Sequence, residues 1–285
     1  MFLLPIPKFD TRHYIVENSG ALLDYLQSKI EEPTDRVMEL LKLGCVYIDK
    51  SRVVENRSLS RGQYLRVHCK PKRYATDRID WNTKIVFESA DFLVIDKPPG
   101  IPVHPTVDNI QENMLTALET HLRQKLFITQ RLDVPTQGLL VLGKTPEFQK
   151  AFNKMLANKT VQKSYQALLE SPLEPRLLRH FMRPHHGSPK VFAINYEEGW
   201  HECLLEITGG HSLSESRFVA HVRLLTGRTH QIRAQLSAVG HPLVGDKDYG
   251  SSVDPSEFFL RSVDLKFTCP ITRQAHHFNA MQSST

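Results

Sequence analysis

Gln130-Arg131-Leu132-Asp133-Val134-Pro135-Thr136-Gln137-Gly138-Leu139-Leu140-Val141-Leu142 sets a single carboxylate, flanked by the cation of Arg131, directly before an apolar run. The run Leu139 to Leu142 is short and continuous, the pattern of a buried strand. Asp133 therefore stands in the loop that enters a sheet, where its plainest role would be to cap that loop. Two further stretches bear on it. Upstream lies Val94-Ile95-Asp96-Lys97-Pro98-Pro99-Gly100-Ile101-Pro102-Val103-His104-Pro105. Downstream lies Leu225-Thr226-Gly227-Arg228-Thr229-His230-Gln231-Ile232-Arg233-Ala234-Gln235-Leu236, followed by Gly240-His241-Pro242-Leu243-Val244-Gly245-Asp246.

Around these blocks the chain reads as alternating strands with few helices. Ile85-Val86-Phe87 and Phe92-Leu93-Val94-Ile95 make a hairpin-like pair, after which Pro98, Pro99, Gly100 and Pro102 fix a rigid loop. Thr145-Pro146 supplies an N-cap with proline in the first helical position. The helix runs to about Asn158 and shows Phe148, Phe152, Met155 and Leu156 on one face. Strands are expected at Ser164 to Leu169, Val191 to Tyr196, Glu202 to Ile207, Arg217 to Leu225 and Val263 to Phe267, with a helix after Gly227 ended by Gly240. Runs of strands with few interspersed helices predict an α+β fold with a mixed, mainly antiparallel sheet. Before it, Leu22, Leu23 and Leu26 and then Val37, Leu40, Leu41 and Leu43 suit two short helices, the second stopped by Gly44. Strands follow at Val46, Ile48 and at Leu65, Val67. The polar, irregular stretch Pro71 to Arg78 reads as a linker, so two domains are expected, residues 1–75 and 76–285.

Composition narrows the function classes. The chain has 285 residues, 40% of them apolar and 24% charged, with a formal net charge of +5; that describes a soluble globular protein with a weak preference for acidic polymers. Met1 to Pro7 has no basic residue before its short apolar run and is cut by prolines, unlike a signal peptide. No apolar stretch approaches the ~20 residues that span a bilayer. Cys45, Cys69, Cys203 and Cys269 are too scattered for a local disulfide framework and read as reduced thiols of a cytoplasmic protein. The pairs His185-His186 and His276-His277 match no zinc pattern, so no metal is expected. Between residues 50 and 73 eight cations face Glu55 alone. Such clustering makes a phosphate-binding face, with Lys50, Arg52, Arg57, Arg61 and Arg66 as candidates. The alternative is a solvated face with a basic linker.

Taken together and in order, the three blocks resemble those of the RluA-type pseudouridine synthases. The run Asp35-Arg36-Val37 to Asp49, with Arg61-Gly62-Gln63-Tyr64-Leu65-Arg66-Val67, resembles the small ribosomal-protein S-four-type RNA-binding module that often precedes that catalytic domain. The resemblance implies conversion of uridine to pseudouridine with no cofactor. Cleaving the bond from ribose to ring nitrogen, turning the uracil and rejoining it through carbon five needs one ionised carboxylate as nucleophile or base. Asp133 takes that role, Arg233 is the cation beside it, and Tyr165 is the aromatic that receives the unstacked base. Arg131 implies a guanidinium filling the hole left by a flipped nucleotide, Ile232 an apolar contact to the base, and Lys97 a brace for the loop. Gln130 and Gln137 depart from the family, which has histidine and serine there. Arg176 to Lys190 is the least family-like segment, either a target-specific RNA loop or a solvated one.

The expected protein is thus a monomeric, cytoplasmic RNA pseudouridine synthase acting on ribosomal or transfer RNA, with no membrane partner. Its rivals are a non-catalytic RNA-binding or ribosome-assembly protein of the same fold and a nucleoside glycosidase. The last would need a second, water-activating carboxylate, and Asp133 is the central one.

Overall fold

The computed structural model describes residues 10–184 and 189–280, which divide into two compact units, residues 1–79 with 102–121 and residues 80–101 with 122–285. Among the described residues no helix is long and apolar enough to cross a membrane. The pair His185-His186 and the segment Met1 to Pro7 lie outside them.

In the first unit, β1 (Thr11–Ile15), β3 (Val46–Ile48), β4 (Ser51–Val53) and β6 (Tyr64–His68) form an antiparallel sheet in the order β1-β6-β3-β4. Gly20–Ala21 (β2) and Ser58–Leu59 (β5) make a separate short pair. Helices α1 (Leu22–Ile30) and α2 (Thr34–Lys42) sit where the leucine spacing placed them, burying Leu22, Leu26 and Ile30 from one and Val37, Leu40 and Leu41 from the other. These pack on Val46, Leu65 and Val67. α2 ends as expected: Gly44 N–H bonds the Leu41 carbonyl and Cys45 N–H that of Leu40, with Gly44 at φ +74°. A Cβ there would also meet Ile110 at 3.1 Å, so the position excludes other residues twice over.

The stretch read as a linker is strapped down. Arg73 bridges Glu39 and Glu112, Lys72 N–H donates to Asp108, and Tyr74 N–H donates to Glu112 at 2.7 Å. Residues 102–121, which the sequence assigned to the span 76–285, thereby pack with the first unit. They include a helix that periodicity did not announce, α3 (Met114–Leu122), with Met114 and Leu118 buried.

The second unit is built on an 11-stranded sheet. Its strands are β7 (Ile85–Glu88), β8 (Phe92–Lys97), β9 (Phe127–Ile128), β10 (Gln137–Gly143), β11 (Gln162–Leu169), β12 (Arg176–Met182), β13 (Phe192–Ala193), β14 (His201–Ser214), β15 (Arg217–Leu224), β16 (Leu260–Thr268) and β17 (Ala275–Asn279). The order is β13-β12-β14-β15-β11-β16-β10-β8-β7, with β17 on β16 and β9 on β10. Every pairing is antiparallel except β10 with β16, which meet through Gln137↔Arg261 and Gly138↔Ser262. Gly138 makes that meeting possible: at φ +106°, a Cβ would fall 2.2 Å from the Ser262 carbonyl oxygen. The fold is α+β with a mixed, mainly antiparallel sheet. Helix α4 (Pro146–Ala157) starts with Phe148 N–H bonded to the Thr145 hydroxyl and lays Phe148 and Phe152 on the sheet. Phe148 stacks on Phe92 at 5.0 Å and Phe152 meets Phe267 edge-on at 5.0 Å. Each such buried ring contributes about 1.5–3 kcal/mol.

Several strands differ from expectation; β9 was not foreseen, and β14 runs on to Ser214. Arg176–Met182 is not a loop but pairs with β14 over its whole length, its charged residues outward and Leu178, His180, Phe181 and Met182 buried. Ala275–Asn279 extends the sheet, and the strand expected at Val191 to Tyr196 shrinks to Phe192–Ala193.

Candidate active site

Asp133 lies in the loop just ahead of β10, and that loop is fixed from beneath by Lys97 at the end of β8. Lys97 is fully buried, and its ammonium donates to the carbonyls of Pro98, Val134 and Thr136 at 2.9, 3.1 and 2.8 Å. The brace expected of Lys97 is therefore present in atomic detail. Burial lowers this lysine to about 7, opposed by the charge of Asp133. Gly100 N–H adds a bond to the Val134 carbonyl, and Thr136 N–H one to that of Asp133.

Helix α5 (Gln231–Ala238) brings the cation. Arg233 is 5% exposed and offers Nη1 to Asp133 Oδ2 at 3.5 Å. Its other edge is gripped by Asp246, 2% exposed, which takes Nε and Nη2 at 2.8 Å each; Asp248 stands 3.5 Å from Nη2. The guanidinium lies 4.9 Å over the ring of Tyr249. Burial alone would lower the arginine's pKa, but the hydrogen bonds and charge of Asp246, with Asp133 behind them, raise it above its ordinary value. A bidentate pair has one planar geometry, so Asp246 decides which nitrogen faces Asp133. That leaves the Asp133 carboxylate 21% exposed and only loosely paired, free to approach a substrate.

Tyr165, on β11 between β15 and β16, is 6% exposed. Burial raises its phenol well above the ordinary value; the Ser262 side chain opposes the shift and Asp133 adds to it. The phenol is thus neutral at physiological pH and close enough to sense the carboxylate.

Sequence reasoning missed one more group. His230 caps α5 in the left-handed region, φ 57°, with Nε2 3.8 Å from Asp133 Oδ1 and Nδ1 3.0 Å from the Tyr249 hydroxyl. A non-glycine residue there costs about 1–3 kcal/mol, and such strain gathers at functional sites. Burial lowers its pKa, opposed by Asp133. Tyr249, which also accepts from Lys190 N–H, holds the ring through Nδ1 with Nε2 turned toward Asp133. The available signal was the adjacent Thr229-His230-Gln231 block, whose glutamine also bonds back to the loop at Thr226 and Arg228.

The remaining candidates divide. Ile232 is buried in α5 at 5% exposure, and Arg131 is exposed at the loop surface. In the first unit, Lys50, Arg57 and Arg61 are exposed. Arg52 and Arg66 are not open in that way: they lie 5.1 and 4.1 Å from the centre of the Tyr47 ring, and Arg52 also donates to the Tyr47 hydroxyl and to the Thr106 carbonyl at 2.8 Å. Gln137 accepts from Arg261, which also pairs with Asp96 at 2.7 Å. Among the described residues no group of three or more His, Cys, Asp or Glu side chains is placed to hold a metal ion.

The family model for RNA pseudouridylate synthase matches residues 91–238, more than half of the chain. A chloroplastic RNA pseudouridine synthase 6 of Oryza sativa is 35% identical over 217 residues, 68% of this chain but 46% of the relative. A ribosomal large subunit pseudouridine synthase D of Nitrosomonas europaea is 33% identical over 238 residues, covering 78% of this chain and 66% of the relative. The chain thus spans less than half the length of the plant protein. Among solved structures, human RNA Pseudouridylate Synthase Domain Containing 4 aligns with a TM-score of 0.56 at 18% identity, covering 70% of this chain and 88% of that one, a likeness of fold.

Proposed function

The chain belongs to the RNA pseudouridylate synthase family, and from that premise we propose that it isomerises uridines in structured RNA to pseudouridine, with Asp133 as the catalytic carboxylate. The observation that carries the reading is the partly exposed Asp133 carboxylate at one edge of Arg233, whose other edge already holds Asp246 through two 2.8 Å bonds and faces Asp248 at 3.5 Å. A glycosidase needs a second carboxyl group that can activate water or protonate a leaving group. Isomerisation does not. The bond from the anomeric carbon to ring nitrogen breaks, the bond to carbon five forms, and the proton displaced from carbon five is balanced by the one nitrogen gains, so no co-reactant is consumed.

In this reading Asp133 acts as nucleophile at the anomeric carbon or as base on the sugar, and Arg233 orients it. Tyr165 offers its ring and neutral hydroxyl to the base, Ile232 lines the base site, and Arg131 fills the vacated stack. Exposed Lys50, Arg57 and Arg61 give residues 1–75, the part of the first unit proposed as the RNA-binding domain, a surface for phosphates. Arg52 and Arg66 support that surface from within. Ribosomal or transfer RNA is the proposed substrate class, and the bacterial relative's name, ribosomal large subunit pseudouridine synthase D, favours the former. A monomeric state and a cytoplasmic site of action complete the proposal. A non-catalytic role is disfavoured by the retained contact between Asp133 and Arg233.

The test is pseudouridine mapping of total RNA from cells with and without the gene, followed by reconstitution on the RNA that differs. Loss of discrete pseudouridines, restored by wild type and not by Asp133→Asn, is expected. Identical maps, together with no conversion of any cellular RNA by the purified protein, would remove the reading.

A further inference from the structure

Several buried or half-buried cations of the second unit come with partners: Arg233 has Asp246, Lys97 has three carbonyls, and Lys144, 11% exposed, has Glu88 at 2.7 Å. Lys163 has none. It is half-buried at the start of β11, and among the described residues it makes no hydrogen bond or ion pair. Burial alone lowers its ammonium to about 8, with no neighbouring charge in opposition. A desolvated cation without a counter-charge is costly, and each such group in a folded protein calls for an explanation.

Its surroundings supply one. Lys163 and Tyr165 are two residues apart on one strand, so their side chains leave the same face of the sheet, about 7 Å apart along it. The ammonium hangs over the loop that leads from β15 into α5, 3.2 Å from where a Cβ on Gly227 would stand. Gly227 is exposed and carries no side chain, so a ligand's backbone can come close to the loop beneath the ammonium. The next residue, Arg228, is exposed and adds a second positive charge. Tyr165 senses the charge of Asp133, so Lys163 stands two residues along the strand from a side chain of the candidate reacting centre.

We propose that Lys163, above the bare backbone of Gly227, binds a phosphodiester oxygen of the RNA strand next to the target uridine. The proposal rests on the RNA-isomerase reading above and adds a specific linkage to it. The lysine's missing counter-ion is the substrate's own backbone. Its contribution is to binding, and the bond-making step stays with Asp133.

The experiment uses the full chain and an RNA oligonucleotide containing a uridine that the wild type modifies, with each phosphate flanking that uridine replaced in turn by an uncharged methylphosphonate. Affinity is read by fluorescence anisotropy at several salt concentrations, and the saturated single-turnover rate is read separately. For wild type, one methylphosphonate position is expected to weaken binding about tenfold and lower the salt slope by about one. Lys163→Met and Lys163→Gln should weaken binding of unmodified RNA to the same extent, lose sensitivity to that one linkage, and keep the saturated rate within about twofold. Lys163→Arg should restore both affinity and sensitivity. Thermal melts confirm that each variant is folded, and two neutral replacements guard against one that is not. Variants that keep wild-type affinity, or that stay as sensitive as wild type at every linkage, overturn the proposal. Failure of the isomerase reading looks different. Wild type would then bind the RNA without forming pseudouridine, and the anisotropy arm would still decide whether Lys163 meets a phosphate.

Discussion

Arginine does opposite work in the two units. In the first, Arg57 and Arg61 stand exposed at the surface, where a charge is worth little to folding but can trade counter-ions for RNA phosphates. In the second, Arg233 is 5% exposed and held through two 2.8 Å bonds by a carboxylate that is itself buried, with one nitrogen left over for Asp133. Between them stands Arg52, from the same basic run as Arg57 yet turned inward onto Tyr47 and the Thr106 carbonyl. Residue type announces a cation; burial and partners decide whether it binds, braces or positions.

The contrast is broken most directly at its centre. Asp133→Asn is expected to lower pseudouridine formation by at least about 10³-fold while RNA affinity stays within a few-fold, measured as single-turnover conversion beside equilibrium binding. Turnover near wild type would place the chemistry elsewhere. Next comes the grip on Arg233. Asp246→Asn leaves a buried guanidinium under-compensated, and is expected to cost about 3–5 kcal/mol of stability and roughly a hundredfold in the saturated rate. Denaturant melts and kinetics should show both losses in Arg233→Met as well; an intact Asp246→Asn would mean that Arg233 is oriented by its packing on Tyr249 instead.

The brace beneath the Asp133 loop offers a pH test. Folding holds Lys97 at about 7, below the ordinary value for a lysine. Between that value and the unfolded one the folded chain binds fewer protons, so this residue's contribution to stability is least favourable below pH 7 and improves as pH rises. Lys97→Met, which strands three carbonyls, is expected to cost about 1–3 kcal/mol near neutrality, with the gap to wild type widening toward pH 10. A gap that narrows would show that the ammonium keeps its proton. The smallest effects separate the two kinds of arginine in the first unit. Arg57→Ala with Arg61→Ala should flatten the salt dependence of RNA binding by about one per phosphate lost without changing the melting temperature. Arg52→Ala should lower stability by about 1–2 kcal/mol and leave the salt slope alone. If the two exchange behaviours, the surface has been read inside out.

Much of this was legible in the sequence because it is local. The leucine spacing of α1 and α2, the Gly44 stop, the Thr145-Pro146 start of α4 and the apolar run of β10 each follow from neighbours a few residues apart, and the structure has all of them. The ordered motifs likewise brought Asp133, Arg233 and Tyr165 forward together, and the tertiary structure sets Arg233 3.5 Å from the carboxylate with Tyr165 in its field. Other features depend on residues far apart in the chain. Arg176–Met182 looked like a loop because its arginines and histidine mask the apolar alternation; it is a strand because β14 pairs with it and Gln235, from α5, bonds the Leu178 carbonyl and approaches His180. Residues 102–121 belong to the first unit because Asp108, Asn109 and Glu112 saturate the backbone and side chains of 72–74, contacts no sequence window contains. Which cations are spent inside the fold and which stay exposed was decided in the same way. A charge can be read from one letter, but its solvation and its partner exist only once the chain has closed around it.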